Sequence, residues 1–186
     1  MDFKNLNKCS RKDNYPLPKM EHILQKVSGS SVMSFIDGFS RYNQIAVHPD
    51  DKEKTAFTTP WGTFMYEKMP FGLINAGATF QRAMDIAFVG EKDKFVLIYL
   101  DDITVFSHLH EEHLQHLRKT FLKCRRYGIS LNTRKSNFSM KEGKLLGHII
   151  SKDGIIIDPD RVNAILKVEE PGSKNEVQSF IGHVNL

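Results

Sequence analysis

Cysteine is nearly absent from this sequence: Cys9 and Cys124 are the only two among 186 residues. Two thiols cannot build a disulfide framework, which fits a reducing compartment, and each reads as a lone buried or surface thiol. Long hydrophobic runs are missing too. The apolar runs at 95–100 and 155–157 fall far short of the roughly 20 residues that a helical membrane span needs. Nothing after Met1 has the basic, apolar and small-residue order of a secretory leader, so none is expected. Internal repeats and low-complexity segments are also lacking. What is present is ordinary globular composition, 40% hydrophobic and 26% charged, which argues against wholesale disorder.

The formal net charge of +4 is unevenly spread. Residues 108–153 hold ten Lys/Arg against four Asp/Glu, leaving the remainder slightly acidic. A basic stretch beside an acidic pocket suits a polyanion held over a metal site, although a solvated helix face would look the same charge by charge. Binding through residues 118–144 would be dominated by phosphate-backbone electrostatics and hence steeply salt-dependent.

Periodicity predicts mixed elements. After a polar start, the Pro16/Pro18 breaker introduces a helix with Leu17, Met20, Ile23, Leu24 and Val27 on one face. Residues 32–36 read as a buried strand ending at Asp37. Short strands are expected at 44–47, 55–59 and 63–68, the last two joined by a Pro60-Trp61-Gly62 turn. Phe80, Ala83, Met84, Ala87 and Phe88 mark an amphipathic helix after a small-residue loop at 70–78. Strands at 95–100 and 103–106 flank Asp101-Asp102. A helix with Leu114, Leu117, Phe121 and Cys124 inward follows, stopping near Gly128. A hairpin of strands 145–151 and 155–157 turns at Lys152-Asp153-Gly154, and helices at 159–168 and 173–184 close the chain. Interleaved hairpins and helices make the class α+β, an antiparallel sheet with helices on one face and the other left open for a large ligand.

Two adjacent acids at a tight turn repel each other unless a cation lies between them. The flanking apolar strands would hold Asp101 and Asp102 rigidly, as a preorganised metal site requires. Asp37, also just past a buried strand, adds a third carboxylate. Three such groups can hold two Mg²⁺ ions roughly 3.5–4 Å apart for an in-line displacement at phosphorus. His108, His110, His113 and His116 imitate a zinc site, but their spacing drifts around a helix and no Cys pair accompanies them, so a polar helix start is the better reading.

Four blocks then occur in one order: Phe35-Ile36-Asp37-Gly38-Phe39-Ser40-Arg41-Tyr42, Met69-Pro70-Phe71-Gly72 continuing through Asn75-Ala76-Gly77-Ala78 to Gln81, Tyr99-Leu100-Asp101-Asp102, and Leu145-Leu146-Gly147-His148. Together they resemble the reverse transcriptase of gypsy-type long-terminal-repeat retrotransposon Pol polyproteins. Gly77, where many relatives carry proline, looks most like elements from plant genomes.

The resemblance implies a polymerase palm with partial fingers over residues 1–151, ending in the primer-gripping hairpin, and the start of a thumb over 152–186. It implies RNA-directed DNA polymerase activity, adding dNTPs to a primer 3′-hydroxyl with two Mg²⁺ ions, for which Mn²⁺ could substitute. Asp37, Asp101 and Asp102 would be catalytic metal ligands, with the Gly38 carbonyl near the nucleotide-side ion. Tyr42 would exclude a 2′-hydroxyl, with Arg41, Phe71 and Gly72 lining the nucleotide pocket. Lys135 would protonate leaving pyrophosphate, and Tyr99, Leu146, Gly147 and His148 would hold the primer. The implied partners are an RNA or DNA template with primer, dNTP, and the protease, RNase H and integrase regions of a polyprotein. Residence would be in a cytoplasmic particle or the nucleus. The family's basic fingers hairpin is not found before Asp2-Phe3-Lys4, so weak or absent activity is expected of the chain by itself. The competing readings are a non-catalytic retrotransposon remnant or nucleic-acid-binding module, and a different two-metal phosphotransferase or nuclease. The phosphotransferase or nuclease reading gives no reason for Tyr42 or for the hairpin after Gly143.

Overall fold

A computed structural model describes residues 2–168 and 171–184, with the backbone alone at 183 and 184. The chain runs through α1 (Lys4–Cys9), α2 (Met20–Val27), β1 (Val32–Gly38), α3 (Pro49–Lys52), β2 (Phe57–Thr59), β3 (Gly62–Phe64) and α4 (Ala76–Ala87). It continues with β4 (Val96–Tyr99), β5 (Asp102–Ser107), α5 (His113–Tyr127), β6 (Leu131–Met140), β7 (Glu142–Leu145), β8 (His148–Ser151), β9 (Gly154–Ile157), α6 (Pro159–Leu166) and α7 (Lys174–Val184). The tail expected at the thumb boundary, 185–186, lies outside the described residues. No described helix is long and apolar enough to cross a membrane.

The centre is a four-stranded antiparallel sheet in the order β4-β5-β1-β6. Strand side chains alternate between faces, and the sequence uses that alternation twice. Ile36, Ile98, Ile103 and Val105 point to one face, where Phe80, Met84, Ala87 and Phe88 of the α4 region meet Leu117 and Cys124 of α5. Met33, Leu97 and Phe106 point to the other, against Ile23 and Val27 of α2 and Leu145 and Ile150 of β7 and β8. Each fully buried side chain of this kind contributes about 1.5–3 kcal/mol, so the sheet is anchored from both sides. The long helices α4 and α5 do share one face. The opposite face is open only in part, because α2 and the three-stranded β7-β8-β9 sheet cover it.

Several local expectations change. Leu17 precedes α2. Residues 44–47 form no strand: a 3-10 turn (Arg41–Gln44) occupies the first position, and Ala46 makes a single bridge to Lys68. The β2–β3 hairpin is shorter than its sequence suggested. Residues 145–151 are two strands rather than one, because Leu145 pairs with His148 around a Leu146-Gly147 turn with φ of 49° and 75°. Two successive positive φ values define the type I′ hairpin, a strained position for Leu146 and an easy one for Gly147.

The stripe of α5 is rotated by one residue. Leu114 is 78% exposed and Phe121 40%, while His113, Leu117, Thr120 and Cys124 face inward. The cause lies in the sheet: buried Ser34 and Ser107 need partners, and the His113 ring meets Ser34 Oγ at 2.8 Å through Nε2 and Ser107 Oγ at 2.9 Å through Nδ1. His116 Nδ1 joins Ser107 at 2.7 Å and stacks its ring on Phe95. His113 and His116 are therefore parts of a core network rather than of a solvated helix start.

Candidate metal centre

The acidic cluster is built by strand register. β1 and β5 pair so that Asp37 lies opposite Asp102, and Tyr99 lies opposite Asp102 across β4–β5. The connection is consequently only Leu100-Asp101, and Leu100 takes φ of 54°. Such a conformation is costly for a branched side chain and persists only when its surroundings impose it. Gln81, fully buried on α4, supplies the constraint. Its Oε1 accepts from Leu100 N at 2.8 Å, while Nε2 donates to Asp85 Oδ1 at 3.0 Å and Ile98 O at 3.4 Å. From the other side Gly38 N donates to Asp101 O at 3.0 Å, where a Cβ on Gly38 would stand 3.3 Å from that oxygen.

One carboxylate oxygen from each of Asp37, Asp101 and Asp102 lies within 4.8 Å of the others. Asp101 is buried and Asp37 half-buried. Arg41 Nε stands 2.6 Å from Asp101 Oδ2, and Asn132 Nδ2 donates to Asp37 Oδ2 at 3.1 Å. Asp102 has the most exposed surface of the three, yet loss of water around its carboxyl raises its pKa above the usual 3.8. The negative charges of Asp101 and Asp37 add to that rise, and Arg41 opposes it. An all-oxygen set with mutually repelling charges fits a hard divalent cation.

Asn132 reaches the site through an irregularity in β6. Register shifts lie between Met33, Phe35 and Asp37 of β1 and their partners Met140, Asn137 and Asn132. Ser136 Oγ fills the gap, accepting from Asp37 N at 3.3 Å and donating to Asn132 O at 2.7 Å. Neither Gln81 nor Asn132 stands out in the sequence as a site residue. Gln81 sits beside the Phe80 stripe, and Asn132 lies three residues before Lys135; those positions were the available signals.

A cavity of about 260 Å³ borders the acids, lined by Asp37, Asp102, Lys135, Lys144, Leu146 and residues of β1 and β5. Lys135 and Leu146 thus share a space with two of the three carboxylates. Lys144 is tied to Asp158 at 2.9 Å and Asp160 at 2.6 Å. Gly147 packs under Arg161, where a Cβ would stand 2.6 Å from the guanidinium. His148 turns its Nδ1 to Leu146 O at 3.0 Å, and Tyr99 packs half-buried against the α2-side core. Only the strand half of the basic stretch borders this cavity; the charges of α5 stand behind the sheet.

Tyr42 follows two left-handed residues, Ser40 at φ 55° and Arg41 at φ 38°. Its ring lies 5.4 Å from Phe71 and 5.9 Å from Phe80. Leu100 Cδ2 and Tyr42 OH both approach the Cα of Gly77, at 3.7 and 3.8 Å from an added Cβ, which places the tyrosine beside the acidic turn. Phe71 is half exposed. The loop bearing Phe71 and Gly72 is held from α1, since Asn7 donates to Gly72 O at 2.7 Å and accepts from Ile74 N at 2.8 Å.

Residues 1–150 match the family described as reverse transcriptase (RNA-dependent DNA polymerase). The chain belongs to the reverse transcriptase family. It is 38% identical over 182 residues to the retrovirus-related Pol polyprotein from transposon 297 of Drosophila melanogaster, covering 98% of this chain and 17% of that polyprotein. It is 36% identical to the Pol polyprotein from transposon gypsy of the same fly, covering 98% and 18%. The Tf2-3 polyprotein of Schizosaccharomyces pombe is 32% identical over 185 residues, covering 100% and 14%. This reverse transcriptase chain therefore spans less than a fifth of those relatives' length. In fold it is similar to the foamy viral protease-reverse transcriptase solved with double-stranded DNA, at a TM-score of 0.88 and 23% identity over 99% of this chain and 32% of that one. The same viral protein solved with an RNA/DNA hybrid gives 0.83 at 23% identity, covering 99% and 25%. The α+β palm architecture agrees with both.

Proposed function

We propose that this chain is the polymerase domain of a gypsy-type retrotransposon Pol polyprotein, of the plant-like branch, copying an RNA or DNA template by adding dNTPs to a primer 3′-hydroxyl. The observation that carries this reading is the convergence of Asp37, Asp101 and Asp102 within 4.8 Å beside the Tyr42–Phe71 aromatic pair. Carboxylates alone would serve a nuclease equally well; a flat aromatic wall next to them has a use in selecting a nucleotide sugar. Residues 1–151 act as palm and partial fingers, and 152–186 begin the thumb. The other regions of the polyprotein are its covalent partners, within an intracellular particle or the nucleus.

In this reading Asp37 and Asp101, assisted by Asp102 and the Gly38 carbonyl, would hold two Mg²⁺ ions, for which Mn²⁺ could substitute. When bound, such ions lower the pKa of the attacking hydroxyl and neutralise charge building on the leaving oxygen. Asn132 orients Asp37, and the Gln81 clasp fixes Asp101. Tyr42 excludes the 2′-hydroxyl of a ribonucleotide, Phe71 and Gly72 border the base and sugar, and Lys135 protonates departing pyrophosphate. Leu146, Gly147 and His148, with Tyr99, steady the primer end.

Single-turnover incorporation on an RNA template with a DNA primer tests the reading, since it registers even slow addition. Mg²⁺-dependent addition of a dNTP, lost in Asp101→Asn and accompanied by relaxed rejection of rNTP in Tyr42→Ala, is expected. Strand cleavage without addition, or addition that survives Asp101→Asn, would overturn it.

A further inference from the structure

Arg41 is the one described cation that makes an ion pair with the acidic cluster. Its Nε stands 2.6 Å from Asp101 Oδ2, and Asp101 is the most deeply buried of the three acids. A carboxylate so far from water, with two others close by, needs a counter-charge. Arg41 meets that need from a half-exposed side chain in single-point contact, a pairing that a divalent cation can displace. The backbone contributes as well. Ser40 and Arg41 both adopt left-handed φ, and this double turn aims the side chain from the end of β1 back over the turn between β4 and β5.

We propose that Arg41 is a tethered competitor of the divalent cation: its guanidinium occupies Asp101 in the cation-free protein and must leave for the metal to bind, so Arg41 sets the threshold for loading the site. The inference rests on the acidic cluster's being the metal site of the proposed polymerase. A free Arg41 then stands at the rim of the loaded site, where the phosphates of an incoming nucleotide would offer it new oxygens. Cation loading and phosphate engagement are thereby linked through one side chain. Arg41 acts here as a positioning residue.

The test is Mn²⁺ binding followed by isothermal titration in the absence of nucleic acid and nucleotide, on the unaltered chain and on Arg41→Gln, Lys135→Gln and Asp101→Asn. Arg41→Gln is expected to bind Mn²⁺ about three- to tenfold more tightly, the range that a half-exposed ion pair to a buried carboxylate can shift. Lys135→Gln removes the same unit charge from the cavity that Asp37 and Asp102 border and leaves the Arg41–Asp101 pair in place, so a clearly smaller gain is expected. Equal gains in the two variants would mean a general field effect and overturn the proposal, as would an unchanged or weakened affinity in Arg41→Gln. If affinity falls in Asp101→Asn but does not rise in Arg41→Gln, the competitor role alone fails. If no variant binds Mn²⁺, the metal site fails with it. Thermal unfolding of each variant, run alongside, shows whether it is folded.

Discussion

The central sheet carries polar groups at both ends of β1 and β5, and the two ends solve the problem of burial in opposite ways. At one end Ser34, Ser107, His113 and His116 sit within the core and complete one another's hydrogen bonds without net charge. Burial and the neighbouring histidines lower the His113 pKa to about 4, so its ring is neutral at physiological pH. At the other end, on the opposite face and its adjoining turn, three carboxylates stand together with one half-exposed arginine paired to them. A satisfied polar network stabilises the fold. A charged cluster left short of counter-ions costs stability, and it becomes useful once a cation is supplied.

Substitutions at the two ends should therefore diverge. The largest effect is expected at the acidic end on activity: Asp101→Asn should reduce nucleotide incorporation by about a thousandfold or more, roughly 4 kcal/mol of transition-state stabilisation. Its thermal unfolding should change little by comparison. At the other end His113→Ala removes one hydrogen bond from each of two buried hydroxyls and should lower stability by about 2–3 kcal/mol, read by urea unfolding. Activity per folded molecule should hold. If Asp101→Asn unfolds the chain, or His113→Ala abolishes incorporation in folded protein, the division between the ends is wrong.

A smaller expected effect joins the two regions. Gln81 is a buried polar residue like His113, but it acts on the acidic turn. Gln81→Met keeps most of the volume and removes the clasp on Leu100 N, so about 1–2 kcal/mol of stability should be lost. Incorporation should fall about tenfold as Asp101 loses its fixed position. A loss of stability with no loss of rate would make Gln81 a core residue only.

The remaining effects concern pH, and the two ends should respond with opposite sign. His113 has a folded pKa near 4 against an ordinary value of 6.5, so the unfolded chain binds more protons between those limits. The stability tied to its neutral form is full above that window and is lost as pH falls through it. Asp102 has a raised folded pKa, so its ionised form opposes folding at neutral pH and protonation on acidification relieves the cost. Asp102→Asn should accordingly raise the cation-free melting temperature at neutral pH by about 2 °C. It should lower the melting temperature if the acids stabilise one another instead.

How much of this was legible in the sequence follows from the same contrast. Acids at the ends of apolar strands are visible because burial of Phe95, Val96 and Ile98 on one side fixes what comes next, and Asp37, Asp101 and Asp102 do converge. The α4 stripe is legible for the same reason. The frame of α5 was not, because a histidine reads as polar until the hydroxyls that receive it are in place. β6 was hidden as well: it is an edge strand whose mostly polar residues lack alternation, and its bulges break any period that remains. Gln81 and Asn132 act through single hydrogen bonds to a backbone amide and a carboxylate far away in sequence, which no local pattern records. The Leu146-Gly147 turn was missed because a leucine at positive φ is rare enough that apolar residues on both sides suggested a continuous strand.

The most direct test of the contrast is the melting temperature of the chain with and without Mg²⁺, measured beside Asp37→Asn. If the acidic end is a cation site held in an under-neutralised state, millimolar Mg²⁺ should raise the melting temperature of the unaltered chain and leave that of Asp37→Asn nearly unmoved. An unaltered chain indifferent to Mg²⁺, or a variant stabilised to the same degree, would contradict the account.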